Sequence, residues 1–226
     1  MKLLLDTADV GRIAQLMPFM PIDGVTTNPT ILSKESDDPK ATIDELKRLM
    51  NGKMIHAQTT AYDSHGMFEQ AKALTEYIGS NFYIKIPMTM QGLAAIEKCK
   101  AEGLNVTVTA IFTPMQALLA AKLGADFVAP YVDRLDNITS DGASVVGEIV
   151  NILENYCYDT EVLAASFKNV QQVYNVASVG THAVTVNADL CQKLIFHPFT
   201  DKSIEDFDFD WRVKYGDKQI TDFFKK

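Results

Sequence analysis

The sequence predicts a (β/α)8 barrel of the TIM type that carries an extra helix at its C-terminal end. Short β-type runs alternate with amphipathic helical patterns along the chain, the mark of a parallel sheet wrapped by helices. Eight such units fall within 226 residues, which suits a compact barrel better than a doubly wound sheet. No GxGxxG follows any strand, as a dinucleotide-binding fold would require.

The first strand, 3–6, closes on Asp6 and is followed by a helical pattern near 8–17. Strand two, 24–26, closes on Thr26, with Asn28 just beyond it, and a helix near 39–50 leads to strand three, 54–58. There Met54, His56 and Gln58 share one face, since side chains alternate along a strand. After a helix near 65–79 comes strand four, 82–86, apolar on both faces except at Lys85, as in the buried strands of parallel sheets. Tyr83 lies on the face of Lys85. A helix near 91–101 precedes strand five, 106–109, in which Thr107 and Thr109 share a face. Thr113 and Pro114 open a helix near 113–123 as cap and first-turn proline. Strand six, 127–130, is followed by Tyr131 and Arg134, and Asp141 precedes a helix at 142–156. Strand seven, 161–166, brings Ser166 and then Lys168; a helix near 170–178, strand eight at 183–186 and a helix near 188–195 complete the last unit.

No linker, low-complexity tract or close internal repeat interrupts the chain, so residues 1–226 read as one domain. Its tail, 200–226, reads as a helical arm rich in acidic and aromatic residues, among them Phe207, Phe209, Trp211, Tyr215, Phe223 and Phe224. Such an arm either closes its own barrel or packs on a neighbouring subunit.

A net charge of −8 and the lack of any basic run argue against nucleic acid or an anionic membrane as partner. No stretch approaches the ~20 apolar residues of a membrane span, and the N-terminus lacks a signal-peptide core. Cys99, Cys157 and Cys191 are odd in number and widely spaced, so buried thiols in a reducing cytoplasm are expected. The histidines His56, His65, His182 and His197 never fall at ligand spacing, so no metal is expected; His56 and His182 read as satisfied interior residues.

Lys85 carries the functional argument. A charged amine inside a buried strand is disfavoured unless it is paired or loses its proton. At an unperturbed pKa near 10.4 only about one part in a few thousand is free amine at neutral pH, and desolvation multiplies that fraction. The structural alternative is a strand-end lysine whose ammonium reaches water or a carboxylate. Barrel enzymes keep their working groups at the carboxyl ends of strands, where Asp6, Thr26, Asn28, Gln58, Lys85, Thr109, Tyr131, Arg134, Ser166 and Lys168 all fall. An imine-forming lysine needs a carbonyl substrate, a proton shuttle and an anchor. Tyr131, with Thr109 and Gln58 holding a water, is the best shuttle available. Arg134, Ser166 and Lys168 form a sensible anion site, unless Arg134 pairs instead with Asp133 or Asp136.

The segments LDTADV, DGVTTNPT, YIKIPMT with QGLAAI, VTAIF with QALLAAKLGA, APYVDRLD and AASFKN together resemble the transaldolase family. They are most similar to its small bacterial branch of fructose-6-phosphate aldolases and transaldolase-like proteins, and the resemblance spans essentially the whole chain. It implies a Schiff-base mechanism without cofactor or metal, with Lys85 as the imine former and Asp6, Thr26 and Asn28 around it. Thr109, Tyr131 and Ser166 fall in matching motifs, and Arg134 and Lys168 match the cations that hold the sugar phosphate. It also implies a homo-oligomer, a decamer of two pentamers, with the C-terminal helix packed on a neighbour. Members that are transaldolases have Glu where this chain has Gln58 and Phe where it has Tyr131, whereas the aldolases of the branch look like this chain. The expected activity is therefore reversible cleavage of fructose 6-phosphate to dihydroxyacetone and glyceraldehyde 3-phosphate. The alternatives are a transaldolase moving the same unit between sugar phosphates and an inactive sugar-phosphate-binding barrel in which protonated Lys85 pairs with Asp6.

Overall fold

The structure is a computed structural model and describes residues 1–225. Eight parallel strands form a closed barrel in sequence order: β1 (Lys2–Asp6), β2 (Gly24–Thr26), β3 (Met54–Gln58), β4 (Phe82–Pro87), β5 (Val106–Ile111), β6 (Phe127–Pro130), β7 (Glu161–Ala164) and β8 (Ala183–Val186). β8 pairs back onto β1, so the sheet has no edge. The connecting helices are α1 (Val10–Leu16), α2 (Pro29–Glu35), α3 (Pro39–Met50), α4 (Ser64–Ile78), α5 (Met90–Ala101), α6 (Pro114–Lys122), α7 (Val132–Asp136), α8 (Gly142–Asn155), α9 (Val170–Ser178) and α10 (Ala188–Lys193).

Period-two alternation gives the strands two faces with different tasks. Leu5, Val25, Ile55, Ile84, Ile86 and Val108 are buried on the helix-facing side. On the inner side Leu4, Met54, Tyr83, Phe127, Leu163 and Ala183 pack into a plug that fills the barrel. His56 lies against the plug, stacked on Tyr83 with ring centroids 4.6 Å apart and edge-on to Phe127 at 5.4 Å. Below it Lys2 pairs with Glu161. The polar residues one step further along the strands therefore stand above an apolar floor.

Several turns that lead into a helix are pinned by a side-chain cap. Asp9, Asn28, Asp63, Thr89, Asp141 and Asn169 each accept a hydrogen bond from a first-turn N–H, and Thr113 forms a capping box with Gln116. This is the physical reason the mouth of the barrel can hold side chains in register.

Several element boundaries differ from the sequence expectation. β5 runs on to Ile111 because Ala110 enters the left-handed region, φ 59, and shifts the register against β6. β7 stops at Ala164 rather than 166, since Ser166 also turns left-handed, φ 64; Ala165 still bridges to Tyr131. α1 starts at Val10, one residue after its Asp9 cap, and α10 ends at Lys193. The short helices α2 and α7 were not anticipated. Cys99 and Cys191 are buried free thiols as expected, but Cys157 is exposed, because it sits left-handed (φ 54) in the turn after α8.

Residues from Gln192 onward form a second compact unit. Its helix, α11 (Pro198–Tyr215), is followed by a 3-10 turn (Ile220–Phe223) that folds back so that Trp211, Tyr215 and Phe223 cluster. The Trp211 indole N–H donates to the Lys218 carbonyl at 2.7 Å. Phe207, Phe209 and Phe224 are exposed.

Gly92, in the first turn of α5, has no room for a side chain, because an added Cβ would lie 2.1 Å from the Pro87 carbonyl oxygen. Gly92→Ala is expected to lower the unfolding free energy by about 1–3 kcal/mol, as overpacking does. Urea unfolding checks it; an unchanged midpoint would mean that α5 moves off β4 without cost.

Candidate active site

All ten residues singled out from the sequence line one cavity of about 500 Å³ at the carboxyl ends of the strands. β1 and β2 bring Asp6 and Thr26, the cap of α2 brings Asn28, and β3, β4 and β5 bring Gln58, Lys85 and Thr109. Tyr131 and Arg134 come from the cap and first turn of α7, and Ser166 and Lys168 from the turn after β7.

Lys85 is buried to 5% exposure, and its Nζ donates to the Thr27 carbonyl at 2.9 Å. Burial pushes its pKa down, opposed by the negative charge of Asp6. No salt bridge joins Lys85 to Asp6 among the described residues, so a protonated lysine neutralised by direct pairing is not what the geometry holds. Burial likewise pushes the Asp6 carboxyl up, opposed by Lys85 and by the Thr26 hydroxyl, which donates to Asp6 Oδ1 at 2.6 Å. Thr26 in turn lies 2.7 Å from the Thr185 hydroxyl. The two shifts act in the same direction: each favours the uncharged form, an amine beside a carboxylic acid.

The floor reinforces this. His56 is fully buried and held neutral, its pKa pushed down to about 3 first by burial and then by Lys85. Its Nδ1 meets the Thr107 hydroxyl at 2.9 Å, while its Nε2 has no hydrogen-bond partner among the described residues. It is thus only half satisfied, whereas His182 accepts from the Val162 N–H.

Across the cavity the Tyr131 hydroxyl lies 3.0 Å from the Thr109 hydroxyl, with the Phe112 ring edge-on to Tyr131. The Arg134 guanidinium sits over the Tyr131 ring, 5.1 Å from its centroid. The pairing of Arg134 with Asp133 or Asp136 does not occur: Gln172 donates to both carboxylates, and the Gly142 N–H also donates to Asp136. Arg134 and Lys168 are both exposed and have no ion pair among the described residues, so two cations face the mouth, ready for an anion.

A family model described as Transaldolase/Fructose-6-phosphate aldolase matches residues 3–222. The chain belongs to this family. A probable transaldolase of Thermoanaerobacter sp. (strain X514) is 42% identical over 212 residues, 94% of this chain and 97% of the relative. One from Aquifex aeolicus (strain VF5) is 40% identical over 211 residues, covering 93% and 96%. Among solved structures, a cube-shaped, highly porous protein cage designed by fusing symmetric oligomeric domains matches 95% of this chain and 78% of its own with TM-score 0.62 at 14% identity. A native KDPGal structure matches 83% and 82% with TM-score 0.57 at 18% identity. At such identities the structural matches show the shared barrel fold.

Within this family site, sequence reading passed over Thr185 and Asn187, which line the cavity from β8 and the residue after it. The signal was available: a polar side chain on the inner face of an apolar strand. Among the described residues no group of three or more His, Cys, Asp or Glu could hold a metal ion, and no helix is long and apolar enough to cross a membrane.

Because unfolding lets Lys85 regain its ordinary pKa, the unfolded chain binds the extra proton, and the folded state is penalised at neutral pH. The penalty fades as pH rises toward the unfolded value near 10.5. Lys85→Met is therefore expected to raise the unfolding free energy by about 1–4 kcal/mol at neutral pH, a gain that shrinks toward pH 10. Urea unfolding at both pH values tests this; a gain that does not vary with pH would mean the amine is not depressed.

Proposed function

We propose that the protein is a class I aldolase that reversibly cleaves fructose 6-phosphate to dihydroxyacetone and glyceraldehyde 3-phosphate through an imine on Lys85. The observation that carries this reading is the buried, hydrogen-bonded amine at the bottom of a cavity whose rim carries two cations with no ion pair among the described residues.

The neutral Lys85 amine attacks the C2 ketone, and the carbinolamine loses water with a proton from Asp6, giving an iminium. The C4 hydroxyl gives up its proton through the Tyr131 and Thr109 hydroxyls, and the C3–C4 electron pair flows into the iminium. Glyceraldehyde 3-phosphate leaves, and the enamine remains on Lys85. Protonation at C3 from the Tyr131 side and addition of water at C2 then release dihydroxyacetone and restore the amine. Arg134 and Lys168 hold the phosphate. Asn28 spends its Oδ1 on the α2 cap, accepting from the Ile31 N–H at 3.0 Å, so its NH2 is the group offered to a substrate hydroxyl.

Transaldolase activity is the second reading, favoured by the names of the relatives above. The choice turns on whether the enamine is protonated or kept for an acceptor aldehyde. A neutral Gln58 and a Tyr131 hydroxyl backed by Thr109 support protonation.

Fructose 6-phosphate alone, without acceptor aldehyde, is expected to yield free dihydroxyacetone and glyceraldehyde 3-phosphate over many enzyme equivalents. One equivalent of aldehyde followed by a stall that erythrose 4-phosphate relieves would mean transaldolase. Borohydride is expected to trap a covalent ketose adduct in the unmodified protein and none in Lys85→Met; a missing adduct in both would leave only a binding protein. Combining Gln58→Glu with Tyr131→Phe is expected to shift the product ratio from free ketone toward transfer by about tenfold or more, measured by chromatography. An unchanged ratio counts against the roles given to these two residues.

A further inference from the structure

We propose that Glu35 is a positioning residue for this reaction, a clasp that holds Asp6 at the imine by gripping the three residues that follow it. The proposal rests on the imine reading above. Glu35 is the last residue of α2, and its Oε2 accepts from the Thr7 hydroxyl at 2.7 Å, the Ala8 N–H at 2.8 Å and the Asp9 N–H at 3.1 Å. Three donors from consecutive residues converging on one carboxylate oxygen make a built anion cradle, with charge-assisted bonds. Thr7 and Ala8 are buried, and the Thr7 hydroxyl also accepts from the Asp9 N–H, which closes the turn.

Asp6 is thus held from two sides. On the barrel side the Thr185–Thr26 pair of hydroxyls fixes its carboxylate. On the outer side the chain leaving it is tied to α2. A second cavity, about 280 Å³ and lined by Asp6, Arg12, Glu35, Asn187 and Asp189 among others, lies on that outer side, so Asp6 stands as a wall between two open spaces. Both cavities reach its side chain, and the clasp fixes the chain segment that carries it.

The tie works on α2 as well. That helix has no buried residue, yet Asn28, Pro29, Thr30 and Ile31 at its start line the substrate cavity. Only Ile31 and Leu32 are partly buried, so the Asn28 cap at one end and Glu35 at the other add ties that burial does not supply. One carboxylate therefore joins the segment that carries Asp6 to the wall that faces the substrate.

The test is a cycle read as the rate of borohydride-trapped imine formation with fructose 6-phosphate. Glu35→Ala is expected to slow trapping about tenfold in the unmodified background and less than about twofold in an Asp6→Asn background, since a residue acting through Asp6 has nothing left to position. Glu35→Gln, which keeps an accepting oxygen, is expected to stay within about threefold of the unmodified rate. Equal slowing in both backgrounds, no slowing at all, or a Gln variant as slow as the Ala variant overturns the proposal. Should Glu35→Ala not fold, Thr7→Val removes one donor of the clasp and enters the same cycle with the same criteria. No adduct in the unmodified protein removes the imine reading and this proposal with it; normal trapping with equal slowing removes the role of Glu35 alone.

Discussion

An amine withdrawn from water is the constraint around which this barrel is arranged. Lys85 has one backbone carbonyl to bond to and no ion pair among the described residues, so only the negative charge of Asp6 opposes the cost of charge on it. The surroundings keep to the same condition. His56 below cannot accept a proton, and Asp6 beside it is pressed toward its acid form. The permanent charges, Arg134 and Lys168, stand at the exposed rim, where water screens them from the amine. A gradient from neutral floor to cationic rim also suits the substrate class proposed, with its ketone at one end and its phosphate at the other.

The floor that enforces this condition is ordinary core packing put to chemical use. Leu4, Met54, Tyr83, Phe127, Leu163 and Ala183 close the barrel from below, and the layer of hydroxyls above them is linked sideways, Thr185 to Thr26 to Asp6 and Thr109 to Tyr131. Each link joins different strands or the turn after one, so the site is held by the barrel and not by any one segment. The two left-handed residues at the rim, Ala110 and Ser166, lie in the same cavity wall. They are where regular strand geometry gives way so that Tyr131 and Lys168 can come from the turns.

The sequence made the barrel legible because its eight strands are short, apolar runs with regular spacing, and because a lysine inside one of them violates the pattern. The ten residues at strand ends came together for the same reason: the (β/α)8 topology brings every strand end to one mouth. What stayed hidden lacked periodicity or was settled in three dimensions. α2 spans seven residues with none buried, and α7 spans five, too few for a 3.6-residue pattern to register. The ends of β5 and β7 depend on backbone turns at an alanine and a serine, residue types that do not announce a left-handed conformation. Gln172 carries no local signal of its role, yet it is the group in α9 that donates to both Asp133 and Asp136. Glu35 has no local pattern at all; its partners lie more than twenty residues away in the turn after β1.

The seam between β1 and β8 has a temporal meaning as well as a geometric one. Asp6 is made before Lys85, and Thr185, which completes the hydroxyl chain to Asp6, is made well after it. A nascent chain that already contains Lys85 therefore has an open sheet, a wet interior and an ordinary protonated lysine. The lysine leaves water only when the last strand docks, so closing the barrel and burying the amine are a single event in the life of the molecule.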